Sequence, residues 1–290
     1  MLETSPETNE TPKETVHDQR KLKPYSFSPN KKNLGFSVLG ILALVLSLFF
    51  VLAYVADTST PDEKLYEFKT SVVEPVIGAT KLSDNSKLSY TSSLLQKRVA
   101  ELLVLYSDQS TTSPETLDKL ASLTKQHTDE SVWIIQNTNS LTVQEKISAL
   151  ANISNVTRAF ETLTDDWEEF DSIKDYSGNI QNVSQDSLKS EIEKFASTSE
   201  IEVVTAFIGE QINLVGEEIK TITQNSRAQK LALTRIDDAG ESITEGKLAD
   251  GLNFILRARQ AIAVDTFLYA SERGEGASET YDPGEVPEGS

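Results

Sequence analysis

Residues 142–170 read TVQEKISALANISNVTRAFETLTDDWEEF. Thr142 and Glu145 stand three apart at the head of an apolar series, the signature of a capping box that opens a helix. The apolar residues then fall at Val143, Ile147, Leu150, Ile153, Val156, Phe160, Leu163, Trp167 and Phe170. Steps of three and four place all of them on one helical face.

The same period runs outward in both directions. Upstream, Leu88, Leu95, Val99, Leu102 and Tyr106 form one stripe, widened by Leu94 and Leu103. Ser113-Pro114-Glu115 then gives an N-cap, a proline at the first helical position and an early acid, and Leu120, Leu123 and Ile134 continue as a third helix. Nearer the N-terminus, Pro61–Lys69 opens with a proline beside Asp62 and Glu63, which suits the positive end of a helix. Pro75 is expected to break or kink that helix. Downstream, 185–196 is a short helix. A longer one from Glu200 carries Val204, Ile208, Ile212, Val215, Ile219 and Ile222, weakens at 223–230, and resumes at Leu233, Ile236 and Ile243. Gly246 suits the left-handed position just past a helix end. A last helix with Leu248, Leu252, Ile255, Ile262 and Tyr269 then turns back as an antiparallel hairpin. The core predicted from these stripes includes Leu95, Val99, Leu102, Leu150, Phe160, Trp167, Ile208, Val215 and Ile255.

The composition agrees with an all-α class. The 290 residues are 7% aromatic, with 13 Gly and 9 Pro, which favours helices over a many-stranded fold. Zero cysteines remove disulfides, thiolate nucleophiles and Cys-based metal sites. A net charge of −18 argues against nucleic acid as a partner, because phosphate binding needs clustered Lys and Arg.

Residues 34–56, LGFSVLGILALVLSLFFVLAYVA, carry no charge. At about 1.5 Å per residue this is about 35 Å of helix, enough for a hydrocarbon core of about 30 Å. The run is too long, and starts too late, for a cleaved signal peptide. Arg20, Lys21, Lys23, Lys31 and Lys32 precede it, whereas Asp57, Asp62 and Glu63 follow, so the positive-inside rule predicts a cytoplasmic N-terminus. Residues 1–33 hold six Lys/Arg and five Asp/Glu, so the exported remainder carries −19. The expected organisation is a disordered cytoplasmic tail (1–33), a transmembrane helix (34–56), a first helical subdomain (57–171), a linker (172–184), a second helical subdomain ending in a hairpin (185–273), and a disordered acidic tail (274–290).

Candidate chemistry is sparse. His127 lies on an apolar face and reads as a structural histidine, because no companion ligands stand at metal-binding spacing. Asp165, Asp166, Glu168, Glu169 and Asp171 form a dense acidic run without the spacing of a calcium loop. No phosphate loop, nucleophile elbow or Ser/His/Asp order occurs. No catalytic residue, metal ligand or cofactor is therefore predicted. Gly209 and Gly216, seven apart in the long helix, are expected to pack closely against a neighbouring helix. Such a contact would offset the cost of about 1 kcal/mol for each interior glycine.

The stretch Pro61-Asp62-Glu63-Lys64-Leu65-Tyr66-Glu67-Phe68-Lys69, with KLSYTSSLLQKRVAELLVL at 87–105, resembles an uncharacterised all-helical domain of bacterial membrane-anchored proteins. That family opens with a Pro-x-x-x-Leu-Tyr-x-x-Lys pattern after its membrane helix. A helix with an Arg-Leu-x-Glu core follows, here Arg98-Val99-Ala100-Glu101. The last hairpin is similar to tetratricopeptide-like turns, with Gly251 as the small packing residue. The resemblance implies helicity and anchoring and carries no activity. Together these readings predict a single-pass bacterial plasma-membrane protein with an extracytoplasmic helical module. Its partners would be the lipid bilayer and an envelope protein or a second copy. The alternatives are a sensor-type ectodomain and a carboxylate-dependent envelope hydrolase, which two close buried carboxylates in a pocket would favour.

Overall fold

A computed structural model describes residues 43–44, 47–107, 113–165, 171–222 and 226–272. Its described secondary structure is helical, with no strand among those residues. The elements are α1 (47–57), α2 (Lys64–Phe68), a π-turn (Lys69–Val73), α3 (Glu74–Ala79), α4 (Asp84–Ser107), α5 (Pro114–Asn137), α6 (Val143–Asp165), α7 (Asp171–Thr198), α8 (Ile201–Thr221), α9 (Arg227–Thr244) and α10 (Leu248–Glu272). The chain divides into two compact units at Val51/Leu52, and α2–α10 belong to the second.

The predicted caps form. Ser113 Oγ accepts from the Thr116 backbone N–H at 3.2 Å. Thr142 and Glu145 close their capping box, with Glu145 N donating to Thr142 Oγ1 at 3.2 Å and Thr142 N to Glu145 Oε2 at 2.6 Å. The backbone donor of Thr142 favours the ionised carboxylate and lowers the Glu145 pKa. The helix expected to run on from Glu200 is two, α8 and α9, and Ser226, which is not among the predicted caps, caps α9 by accepting from Gln229 N at 3.0 Å. Gly246 takes φ +80° after α9, and its N–H reaches the Ile243 carbonyl at 3.0 Å. α9 and α10 thus form the expected hairpin.

One continuous core runs from α4 to α10. α10 packs against α9, α6, α8 and α7, and α4 against α5 and α6. Leu95, Val99, Leu102, Leu150, Phe160, Ile208, Val215 and Ile255 are all buried. Trp167 lies outside the described residues.

Four further expectations need correction. First, 172–184 is no linker, because α7 runs through it. Ser177, Ile180, Gln181, Ser184 and Leu188 turn inward at steps of three, one, three and four. Most of these inward positions are polar, so an apolar count passes over them. Second, 57–171 and 185–273 share one core, because α10 returns to pack on α6. Gln260 Nε2 donates to the Ser154 carbonyl and Oγ, both at 3.0 Å, across that contact.

Third, Gly209 and Gly216 are not packing positions. A Cβ on either would meet no described atom within 4 Å. Gly251 behaves as expected. A Cβ there would lie 2.7 Å from Ile243 Cγ1 and 3.4 Å from the Ala239 carbonyl oxygen, so α9 approaches the α10 backbone directly. Fourth, Pro75 does not end its helix. The π-turn over Lys69–Val73 precedes it, and the chain continues as α3 with Pro75 in the first turn. A wider turn relieves the clash between the proline ring and the carbonyl four residues back.

Residues 1–42, 45–46 and 273–290, which hold much of the uncharged run and both tails, lie outside the described residues. Among the described residues no helix is long and apolar enough to cross a membrane. Within α1 and just before it, Leu44, Leu48, Phe50, Val51, Leu52, Tyr54 and Val55 are exposed.

Candidate functional site

Burying an ion is expensive unless it is paired and hydrogen-bonded, so buried charges mark where the fold is under demand. They converge at one place. Arg98 on α4 has no solvent exposure. It falls between Leu95 and Leu102 on the apolar stripe, which forces a guanidinium inward. Its Nη2 pairs with Glu74 of α3, and its Nη1 with Glu101 one turn along α4. Nη1 also donates to the Tyr66 hydroxyl at 2.7 Å. Tyr66 in turn donates to Glu101 Oε2 at 2.6 Å. The other carboxylate oxygen of Glu101 accepts from Lys69 Nζ at 2.7 Å. Two cations and two carboxylates therefore balance inside a nearly dry cluster.

The Tyr66 ring is the cluster's floor. Lys69 Nζ, Arg98 Cζ and Lys119 Nζ lie 5.1, 5.4 and 5.8 Å from its centroid, within range of the ring's attraction for cations. Tyr90 extends the cluster by donating its hydroxyl to the Glu74 carbonyl at 2.8 Å.

The electrostatics follow from burial. Burial raises the Tyr66 hydroxyl well above its ordinary value, and neighbouring Glu101 adds to this, so it remains a donor. Burial also raises Tyr90, to about 12. Burial lowers Lys69 although Glu101 opposes it. For Arg98, burial alone would lower the pKa, yet Glu101, Tyr66 and Glu74 outweigh it and the net direction is upward. His127 of α5 sits beside the cluster, and neither ring nitrogen has a hydrogen-bond partner. Burial, then the charge of Arg98, pushes its pKa down to about 4, so it is a neutral packed ring near neutral pH. That accords with the structural reading of this histidine.

The cluster also reaches back toward α1. Lys69 Nζ donates a second bond to the Ser59 carbonyl at 3.2 Å, and Lys97 pairs with Asp57 at 2.6 Å. Residues 57–59 at the end of α1 are therefore fastened at two points, to α4 through Lys97 and to the π-turn through Lys69.

Glu74 and Glu101 are two carboxylates gripping one guanidinium, but each is paired with a cation and neither lines a hollow. Two surface hollows stand elsewhere. One, of about 490 Å³, is lined by Asp175, Gly178, Asn179 and Asn182 on α7. Another, of about 220 Å³, lies among α6, α7 and α10 with Asn155, Lys189 and Arg257 on its wall. Among the described residues no group of three or more His, Asp or Glu could hold a metal ion. Apart from Asp165, the acidic run at Asp165–Asp171 lies outside the residues whose side chains are described.

The family-type residues quoted above, Tyr66, Lys69, Arg98 and Glu101, are the ones the structure brings together. Glu74, Tyr90 and Ser59 carried no sequence signal. Arg98 did, because a lone arginine between leucines at helical spacing indicates a buried charge.

Comparison with protein-family models, curated proteins and solved structures gives no match in any of the three.

Proposed function

We propose that this chain is a single-pass anchored helical module of a bacterial cell envelope. Residues 34–56 span the membrane, the N-terminus faces the cytoplasm, and α2–α10 lie outside. The module acts by interaction, with no catalysis of its own, and resembles the uncharacterised anchored family named above. The observation that carries this reading is the buried cluster. Its Lys69, in the π-turn, holds the Ser59 carbonyl just after the uncharged run, and beside it the exposed pair Lys97–Asp57 links α4 to the end of α1. An anchored module would need such a fastening where its chain leaves the membrane. The basic flank before residue 34, the acidic remainder after it and the exposed apolar side chains of α1 support the orientation.

Protease added to intact spheroplasts tests the arrangement. The expected result is degradation of everything after Ala56 with the tail spared. Protection of the α2–α10 region would overturn it. The same fastening favours, as a second reading, an ectodomain that signals through a cytoplasmic partner. A partner captured by residues 1–33 alone would support that reading.

A further inference from the structure

The face of the π-turn and α3 opposite the buried cluster is apolar and open. Tyr66, Lys69, Val73 and Glu74 point inward. Val72, Val76 and Ala79 follow one another at steps of four and three on the outer side, flanked by Pro75 and Ile77. Val76 is 47% exposed and Ile77 42%, and Leu82, just beyond, is 90% exposed. A charge-rich chain would be expected to cover such a surface with acids. Yet between Glu67 and Asp84 the charged residues are Lys69 and Glu74, both buried in the cluster, and Lys81. In an exported part carrying −19, this one outer face shows a single cation and no carboxylate.

We propose that this face, Val72 to Leu82, lies in the headgroup region of the bilayer that holds the anchor. The inference rests on the anchored reading above and adds a second, interfacial contact to it. Three features select lipid over other occupants. The face begins only 15 residues after the end of α1. Its root is held there, because Lys69 Nζ is bonded to the Ser59 carbonyl. Its charge suits a surface that repels the rest of the module, since anionic lipid disfavours carboxylates and attracts Lys81. An amphipathic helix of this kind sits with its apolar side about 5–10 Å into the headgroup–acyl boundary. The bundle would thereby be seated on the membrane at two places, the anchor and this face.

The absence of native cysteine makes the test direct. The full chain, carrying Val76→Cys, Leu82→Cys, Leu231→Cys or Phe50→Cys, is labelled with an environment-sensitive fluorophore. Each variant is reconstituted into phosphatidylcholine vesicles containing phosphatidylglycerol. Lipids brominated near the headgroup end of the chain then compete with aqueous iodide as quenchers. The expected result is strong lipid quenching and weak iodide quenching at Val76 and Leu82, with the reverse at Leu231, an exposed position on α9. Iodide quenching at Val76 equal to that at Leu231 overturns the inference. So does self-quenching at Val76 that grows with the protein-to-lipid ratio, which would assign the face to a second copy. Phe50 separates the two levels of the argument. Lipid quenching at Phe50 without it at Val76 sinks this inference alone, whereas its loss at both sinks the anchored reading as well.

Discussion

Two parts of the bundle hold themselves together by opposite means. Around Arg98, α2, the π-turn, α3 and α4 meet through ions, with two cations and two carboxylates in matched pairs. Around Gly251, α9 and α10 meet through apolar groups, with Ala232, Ala239, Leu252 and Ile255 buried and no buried ion pair among the described contacts, although Arg235 of α9 lies 5.7 Å from the Phe254 ring of α10. The ionic region is sensitive to losing any one member, because an abandoned partner remains as an unpaired buried charge. The apolar region is sensitive only to volume. A buried ionic joint fixes geometry strictly at little net gain in stability. An apolar seam gives stability and tolerates rearrangement. The strict joint is the one that holds Ser59, just after α1.

That contrast can be broken at several points. The largest effect is expected at Arg98→Met, which strands Glu74 and leaves Glu101 with Lys69 and Tyr66 alone. It should destabilise by about 3–5 kcal/mol in denaturant melts. The quadruple change of Lys69, Glu74, Arg98 and Glu101 to apolar residues should recover much of that loss, since a whole buried ion set replaced by well-packed apolar groups is often neutral or better. A single change costing under about 1 kcal/mol would mean that water reaches the cluster.

His127 sharpens the comparison through pH. Its folded pKa is lowered to about 4 from an ordinary 6.5. The unfolded chain therefore takes up a proton, as pH falls below about 6.5, that the folded chain refuses. The stability this neutral ring contributes is present above that range and is lost progressively as pH falls toward 4. His127→Leu should flatten this limb of the stability–pH curve, and an unchanged slope would show that other groups dominate it.

On the apolar side, Gly251→Ala should destabilise by about 1–3 kcal/mol, because Ile243 cannot withdraw from the new methyl without moving α9. The smallest effect has the opposite sign. Gly209→Ala and Gly216→Ala place a methyl in open space, so each should stabilise by up to about 1 kcal/mol through helix propensity. Destabilisation by both would reveal a partner on that face.

Most helices were legible because their inward faces are apolar at steps of three and four. α7 shows where this fails. Its inward positions in 171–184 include Ser177, Gln181 and Ser184, and the last two bond with each other and with Thr157 instead of offering apolar surface. Thr157 Oγ1 lies 2.9 Å from Ser184 Oγ and 2.5 Å from Gln181 Oε1. Satisfied polar groups pack inside a bundle as well as apolar ones do, but they are indistinguishable from loop residues when only composition is read. The glycines illustrate a second limit. Spacing put Gly209 and Gly216 on one face, and apolar neighbours suggested cover, but whether another helix lies there depends on how α8 is rotated about its axis. Gly251 was legible because the turn at Gly246 fixes which helix must be its neighbour. For the buried cluster, Arg98 on an apolar stripe was the signal. Its partner Glu74 lies 24 positions away, and only the tertiary path of the chain discloses it.

The π-turn at Lys69–Val73 has a consequence for how this chain can change over time. Such a turn holds one residue more than an α-helical turn of the same rise, so it offsets the helix on its N-terminal side by about 100° relative to the side after it. That offset is what brings Tyr66 and Lys69 around to Arg98 while Glu74 still faces the same guanidinium. Deleting a single residue, such as Ser71, would let the segment relax into a plain α-helix with better local hydrogen bonding. It would also swing Tyr66 and Lys69 about a quarter-turn away and release Ser59. A lineage could therefore gain a more regular helix in one step and lose the joint in the same step. The tolerated insertions and deletions of this segment should come in compensated pairs that preserve phase, while the loops elsewhere vary freely in length.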